Sequence, residues 1–196
     1  MKRRHVLGGG LALSALGLAA IKPSDQGAPQ TNYYRGIAHA LRSQGLYKPS
    51  LVIDKSRLDH NIQRLKAHLP ASMNYRIVAK SLPSFDLLRY VAEQTNTNRL
   101  MVFHQPFIKL LAEQMPNADL LLGKPMLVGA AEQTYKALAN APLFNPDTQI
   151  QWLIDTEERL GEYQRLAQQL NRPMRVNLEL DVGLHRGGFV SSTSDD

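Results

Sequence analysis

The chain has 196 residues, no cysteine, and 23 basic against 17 acidic side chains, for a formal charge of +6. Without cysteine there are no disulfides, no thiol nucleophile, no lipidated-cysteine anchor and no cysteine metal site. The positive charges are scattered, without a basic stripe or interleaved aromatics, so a nucleic-acid partner is not expected.

The amino terminus reads as a targeting segment. Met1-Lys2-Arg3-Arg4 supplies charge, residues 6–20 form an apolar run rich in Gly and Ala, and Gly17-Leu18-Ala19-Ala20 offers small residues for cleavage. The run is too short for a stable membrane span. Arg3-Arg4-His5-Val6-Leu7 resembles a twin-arginine signal, which implies a bacterial protein exported to the periplasm. Removing residues 1–20 takes away three basic groups and leaves 20 against 17, a charge of +3, so part of the basicity belongs to the signal. Residues 21–33, rich in Pro, Ser, Gly and Gln, read as a linker.

Folded structure is expected over residues 34–190. A helical pattern over residues 34–44 is followed by a short strand, Leu51-Val52-Ile53-Asp54. An amphipathic helix over residues 56–69 comes next, with Ser56 as its cap and Leu58, Ile62, Leu65 and Leu69 on its apolar face. In Tyr75-Arg76-Ile77-Val78-Ala79-Lys80-Ser81 the consecutive apolar residues predict a parallel strand covered on both faces, with Lys80 at its carboxyl end. The pattern recurs downstream. Leu100-Met101-Val102-Phe103 ends on His104, residues 119–123 on Lys124, residues 150–154 on Asp155, and residues 175–180 on Asp181, with His185 and Arg186 just beyond. Helical stretches over residues 85–94 and 106–115 lie between the strands, as repeated βα units require.

The fold class is therefore α/β, a (β/α)8 TIM-type barrel or an open doubly wound sheet. About five core strands are legible, where a complete barrel typically takes about 250 residues. On this reading the barrel is incomplete, the late strands and a carboxyl-terminal β-domain are absent, and residues 191–196 form a polar tail. Barrel enzymes assemble their sites from the carboxyl ends of several strands, and Lys80, His104, Lys124, Asp155, Asp181 and Arg186 all satisfy that rule. For any one of them the plainer reading is a solvated first loop residue.

Four segments in order carry a resemblance. These are Pro49-Ser50-Leu51-Val52-Ile53-Asp54, Leu58-Asp59-His60-Asn61-Ile62, Arg76-Ile77-Val78-Ala79-Lys80, and the run from Asn177 through Asp181-Val182-Gly183-Leu184-His185-Arg186-Gly187-Gly188 to Phe189. Together they resemble the amino-terminal barrel of the alanine racemase superfamily, the fold-type III pyridoxal-phosphate enzymes. The Arg-x-x-x-Lys spacing resembles the D-threonine aldolase and D-serine dehydratase branch more than the racemases, in which Ala-Asn-Ala-Tyr-Gly follows the lysine. Here Ser81-Leu82-Pro83-Ser84 follows it, and Val78 and Leu82 stand near the places of that branch's flanking histidines.

The resemblance implies pyridoxal phosphate held by Lys80 as a Schiff base, because a lysine amine can bond reversibly to the aldehyde and then serve as a base beside the substrate Cα. It implies Arg186 near the cofactor or the substrate carboxylate, Arg76 as an anion contact on the face shared with Lys80, and His104 as a further cofactor contact. No metal ligands are assigned. Gly183, Gly187 and Gly188 are expected to let the backbone turn closely past the ring. The implied function is that of a lyase or racemase acting at the Cα of a small amino acid, of D configuration, with a homodimer as the full-length form. The competing expectation is a non-catalytic pyridoxal-phosphate-binding module or remnant half-barrel.

Overall fold

The computed structural model describes residues 28–190 apart from Pro83, Asn140 and Leu184. The expectations for residues 1–20 and 191–196 therefore lie outside the described residues. The chain divides into two compact units, residues 1–53 and 54–196.

In the first unit, helix α1 spans Asn32–Ser43. It starts two residues earlier than the apolar pattern indicates, because the Thr31 hydroxyl accepts from the Tyr34 amide and caps it. The strand expected at Leu51-Val52-Ile53 does not form. These three side chains are exposed and make no sheet pairing, so apolar composition alone was a poor guide here.

The second unit opens with α2 (Lys55–His68). Its cap is Asp54, whose carboxylate accepts from the Arg57 amide at 3.0 Å; Ser56, the expected cap, instead donates its hydroxyl to Asp54. Five parallel strands follow: β1 (Ile77–Val78), β2 (Arg99–Val102), β3 (Asp119–Leu122), β4 (Ile150–Ile154) and β5 (Arg175–Leu178). They lie in chain order in one sheet. The pairings Val78 with Met101, Val102 with Leu122, Leu121 with Gln151 and Ile154 with Leu178 fix the register. Helices α3 (Phe85–Thr95), α4 (Gln105–Gln114), α5 (Val128–Leu138), the short α6 (Pro146–Gln149) and α7 (Glu157–Leu170) make the crossovers. Ser84 and Thr156 cap α3 and α7 through their hydroxyls, and Asn96 and Asn171 end the same helices in the left-handed conformation.

Burial alternates along β1 to β4. Ile77, Leu100, Val102, Leu120, Leu122, Ile150, Trp152 and Ile154 are buried on the helix side, against residues such as Leu88, Ile108, Leu111, Ala131, Tyr163 and Leu166. At about 1.5–3 kcal/mol for each fully buried large apolar side chain, this layer is the main source of stability. The core also holds polar aromatic atoms with partners: Trp152 Nε1 donates to the Tyr135 hydroxyl, and the Tyr163 hydroxyl donates to the Met126 carbonyl. Burial raises the pKa of both phenols.

The opposite face is only half covered, which corrects the expectation of strands sheltered on both sides. Val78 is 37% exposed while its neighbours Ile77 and Ala79 are buried. A barrel shelters that face by closing on itself, and the described sheet is open.

Candidate functional site

Lys80 does not end a strand. β1 stops at Val78, and Ala79–Ser81 form a 3-10 turn that carries Lys80 immediately beyond the sheet. Ala79 is buried and anchors the turn, whereas Lys80 is exposed. Its Nζ lies 4.4 Å from the centroid of the Phe103 ring, a cation–π contact. The ring has room there because position 123 is glycine. A Cβ on Gly123 would come within 2.5 Å of the Phe103 ring and 2.8 Å of Met101 Cγ.

The fourth motif is built by backbone geometry. β5 breaks at Glu179, whose amide still donates to the Ile154 carbonyl and whose carbonyl accepts from Phe189. Strands β6 (Leu180–Asp181) and β7 (Phe189–Val190) then pair in parallel. Parallel neighbours ordinarily need a dozen or more connecting residues. The tighter return over residues 182–188 relies on positive φ at Gly183, His185, Gly187 and Gly188. Asp181 Oδ1 holds the loop from inside by accepting from the amides of Gly183 (2.9 Å) and His185 (3.0 Å). Gly188 packs against the backbone so closely that a Cβ would stand 2.7 Å from the Glu179 carbonyl oxygen.

These two constructions meet at one cleft of about 310 Å³ at the carboxyl edge of the sheet. Val78, Met101, Phe103 and Leu180 give it apolar surface, and Lys80, Lys124, Glu179, Asp181 and Arg186 supply charge. Among the described residues neither Lys124 nor Arg186 has an ion-pair or side-chain hydrogen-bond partner. A larger hollow of about 510 Å³ lies at the amino ends of β2 and β3, lined by Asn96, Asn98, Asn117 and their neighbours. It contains no lysine, so its greater size does not make it the chemical site.

The structure thus brings together Lys80, Lys124, Asp181 and Arg186 of the strand-end residues. It does not bring in Arg76 or His104. Arg76 lies before β1, at the floor of the sheet, where its guanidinium pairs with Asp119 at 2.7 Å and donates to the carbonyls of Leu100 and Asp119. The Asp119 carboxylate also accepts from Gln151, which accepts in turn from Asn177, so one polar chain crosses the open face. His104 is exposed at the cap position of α4, its ring 6.0 Å from that of Phe107. Asp155 follows β4, and one of its carboxylate oxygens is buried without a hydrogen-bond partner. Phe103 and Glu179 were not singled out from sequence. The signal for Glu179 was available, since Arg175, Asn177 and Glu179 alternate onto one face. The signal for Phe103 was not, because its role depends on a glycine in the neighbouring strand.

A parallel α/β sheet with its polar cleft at the carboxyl edge is the arrangement in which barrels and open doubly wound folds place their ligand sites. Residues 53–195 match the family model for the alanine racemase N-terminal domain, and the chain belongs to that family. Its fold is a TIM-like barrel, present here as an open five-stranded parallel sheet among the described residues. The family is pyridoxal-phosphate-dependent and of fold-type III. No curated protein matches the chain. Among the described residues no helix is long and apolar enough to cross a membrane, and no His, Asp and Glu cluster could hold a metal ion.

The cleft suits pyridoxal phosphate chemically. It offers a primary amine at Lys80, an apolar aromatic surface at Phe103 for a flat ring, and cations at Lys124 and Arg186 for anionic arms.

Proposed function

We propose that the chain is a pyridoxal-phosphate enzyme acting at the Cα of a small amino acid, of D configuration, in lyase or racemase style, with Lys80 as the residue that bonds the cofactor. The observation that carries this is the cleft itself, because Lys80 and Arg186 come from motifs more than 100 positions apart in the chain and line the same hollow. When bound, the cofactor supplies an aldehyde that condenses with amines and a conjugated ring that accepts electrons from the adjacent Cα.

The chain's own residues do the rest. Phe103 steadies the Lys80 side chain and gives a flat ligand an apolar surface. Arg186 receives a carboxylate with its planar guanidinium, which fixes which bond at Cα faces Lys80. Lys80 Nζ, once displaced by the substrate amine, takes up or returns the proton at Cα. The arginine-to-lysine spacing of Arg76-Ile77-Val78-Ala79-Lys80 supports the D-threonine aldolase and D-serine dehydratase branch over the racemases. The twin-arginine-like leader supports action in the periplasm, on a small-molecule substrate, and the family resemblance supports a homodimer in the full-length form. A second reading is a binding module without turnover, favoured by the exposure of Lys80 and Arg186 at the open cleft.

The test is borohydride reduction of the natively purified protein with pyridoxal phosphate, followed by peptide mass spectrometry. The adduct is expected on Lys80 and absent from Lys80→Ala. An adduct that persists elsewhere in the variant, or none in the parent protein, refutes the assignment. Deuterium exchange at Cα, or release of aldehyde or keto acid from D-amino acids, separates enzyme from module.

A further inference from the structure

We infer that Lys124 is an oxyanion contact of the Lys80 cleft, a role additional to the proposed activity but resting on that reading of the cleft. Elsewhere several cations are satisfied locally: Arg76 pairs with Asp119, Arg172 with Asp147, and Lys136 with Glu132. Around the cleft three are not. Lys80, Lys124 and Arg186 converge on one hollow, and none of them is in an ion pair with a described residue. Two carboxylates share the lining, but Asp181 is occupied by its own turn, accepting from the Gly183 and His185 amides and facing the His185 ring at 3.5 Å. Glu179 is in no ion pair with a described residue. With three cations and only the Glu179 carboxylate left to offset them, the cleft keeps an excess of positive charge, and a bound anion removes that cost.

The Phe103 ring lies under Lys80 Nζ and against Gly123, and Lys124, the next residue along, lines the same cleft, so an anionic arm of a ligand held at Lys80 would meet Lys124 within that hollow. Lys80 is consumed by its bond to the cofactor, which leaves Lys124 and Arg186 as cations for two acidic groups. The recognised chemistry is a phosphate or carboxylate oxyanion, supplied either by the cofactor's phosphate or by an acid group of the substrate.

The test uses the full chain with inorganic phosphate and with succinate, titrated by calorimetry into the parent protein, Lys80→Ala, Lys124→Gln and Lys124→Arg. Binding of at least one anion is expected in the parent and in Lys80→Ala. It should weaken by about tenfold in Lys124→Gln, the size of one charge-assisted contact, and recover in Lys124→Arg. Lys124 is exposed, so unchanged circular dichroism and denaturation midpoint are expected to confirm that the variant folds. If phosphate responds, trapping at Lys80 should lose its preference for pyridoxal phosphate over pyridoxal in Lys124→Gln, which identifies the cofactor's phosphate as the source. If only succinate responds, the source is a substrate carboxylate. No anion binding in the parent, or binding that Lys124→Gln leaves within about twofold, overturns the inference. Failure of Lys80 to form an adduct while anion binding still depends on Lys124 would refute the proposed activity and leave this contact standing.

Discussion

Arg76→Met separates a structural arginine from a cofactor-binding one. Arg76 and Lys80 flank β1, and four residues of extended chain span up to about 13 Å. The guanidinium is already engaged at its own end of the strand, with Asp119 at 2.7 Å and with two carbonyls at 3.0 and 2.9 Å. Its side chain is 20% exposed and that of Asp119 26%, so water compensates poorly for their loss. Hydrogen bonds to charged groups contribute about 1.5–3 kcal/mol each. Methionine keeps the aliphatic packing, and Gln151 still donates to Asp119, so the contributions do not simply add. The expected loss is about 2–4 kcal/mol, a large share of the about 5–15 kcal/mol that holds a domain together. Urea denaturation reads this loss, and borohydride trapping of pyridoxal phosphate reads the cleft, where the Lys80 adduct should form with unchanged affinity under native conditions. The reasoning is refuted if stability moves by less than about 0.5 kcal/mol, the size of an ordinary surface substitution. It is equally refuted if trapping at Lys80 weakens about tenfold at unchanged stability, since one lost cofactor contact would do that.

Gly188→Ala should disrupt the return loop, because φ is +107° and the new Cβ meets the Glu179 carbonyl oxygen at 2.7 Å and the Asp181 nitrogen at 3.0 Å. The Glu179 carbonyl cannot retreat without weakening the hydrogen bond it accepts from Phe189. A cost of about 1–3 kcal/mol is expected, read as faster hydrogen exchange at the Phe189 amide with β2 and β3 unaffected. The buried phenols predict an alkaline limit. Their folded pKa values are raised, so their contribution is complete below the unfolded value of about 10, and it is lost as pH rises from there through the folded value. The denaturation midpoint should begin to fall as pH rises past about 10, and Tyr163→Phe should fall less steeply; an identical slope would count against burial as the cause.

Much of the sheet was legible because parallel βα units repeat at a readable spacing. Residues 150–154 were placed without error, and β2 and β3 were misplaced by one residue at most. Failures came where local pattern and tertiary context diverge. Leu51-Val52-Ile53 has the composition of a strand but finds no neighbour, and a strand exists only through its pairing. Asp54 took the capping role assigned to Ser56 because either residue can cap, and only backbone geometry decides which amide faces which oxygen. The even offset assigned Arg76 and Lys80 to one face of a strand, but both lie outside the two-residue β1, with Lys80 on the 3-10 turn, and the offset says nothing about which end of the strand faces a ligand.

The same parity explains why the site stands where it does. Val176 and Leu178 lie level with the fully buried Trp152 and Ile154, yet they are 40% and 55% exposed, because no described helix covers the β5 edge. An apolar strand sequence therefore identifies a side that can be buried and leaves open whether anything buries it. On the other side the rule works in the site's favour. Position 78 faces the open surface, the strand ends there, and the short turn of Ala79–Ser81 carries the Lys80 amine onto Phe103. Gly123 and Gly188 then matter for what they lack, since one leaves space for that ring and the other lets the Arg186 loop close against Glu179. The chemistry of the cleft thus depends on two missing side chains as much as on the charged ones, and periodicity cannot register an absence.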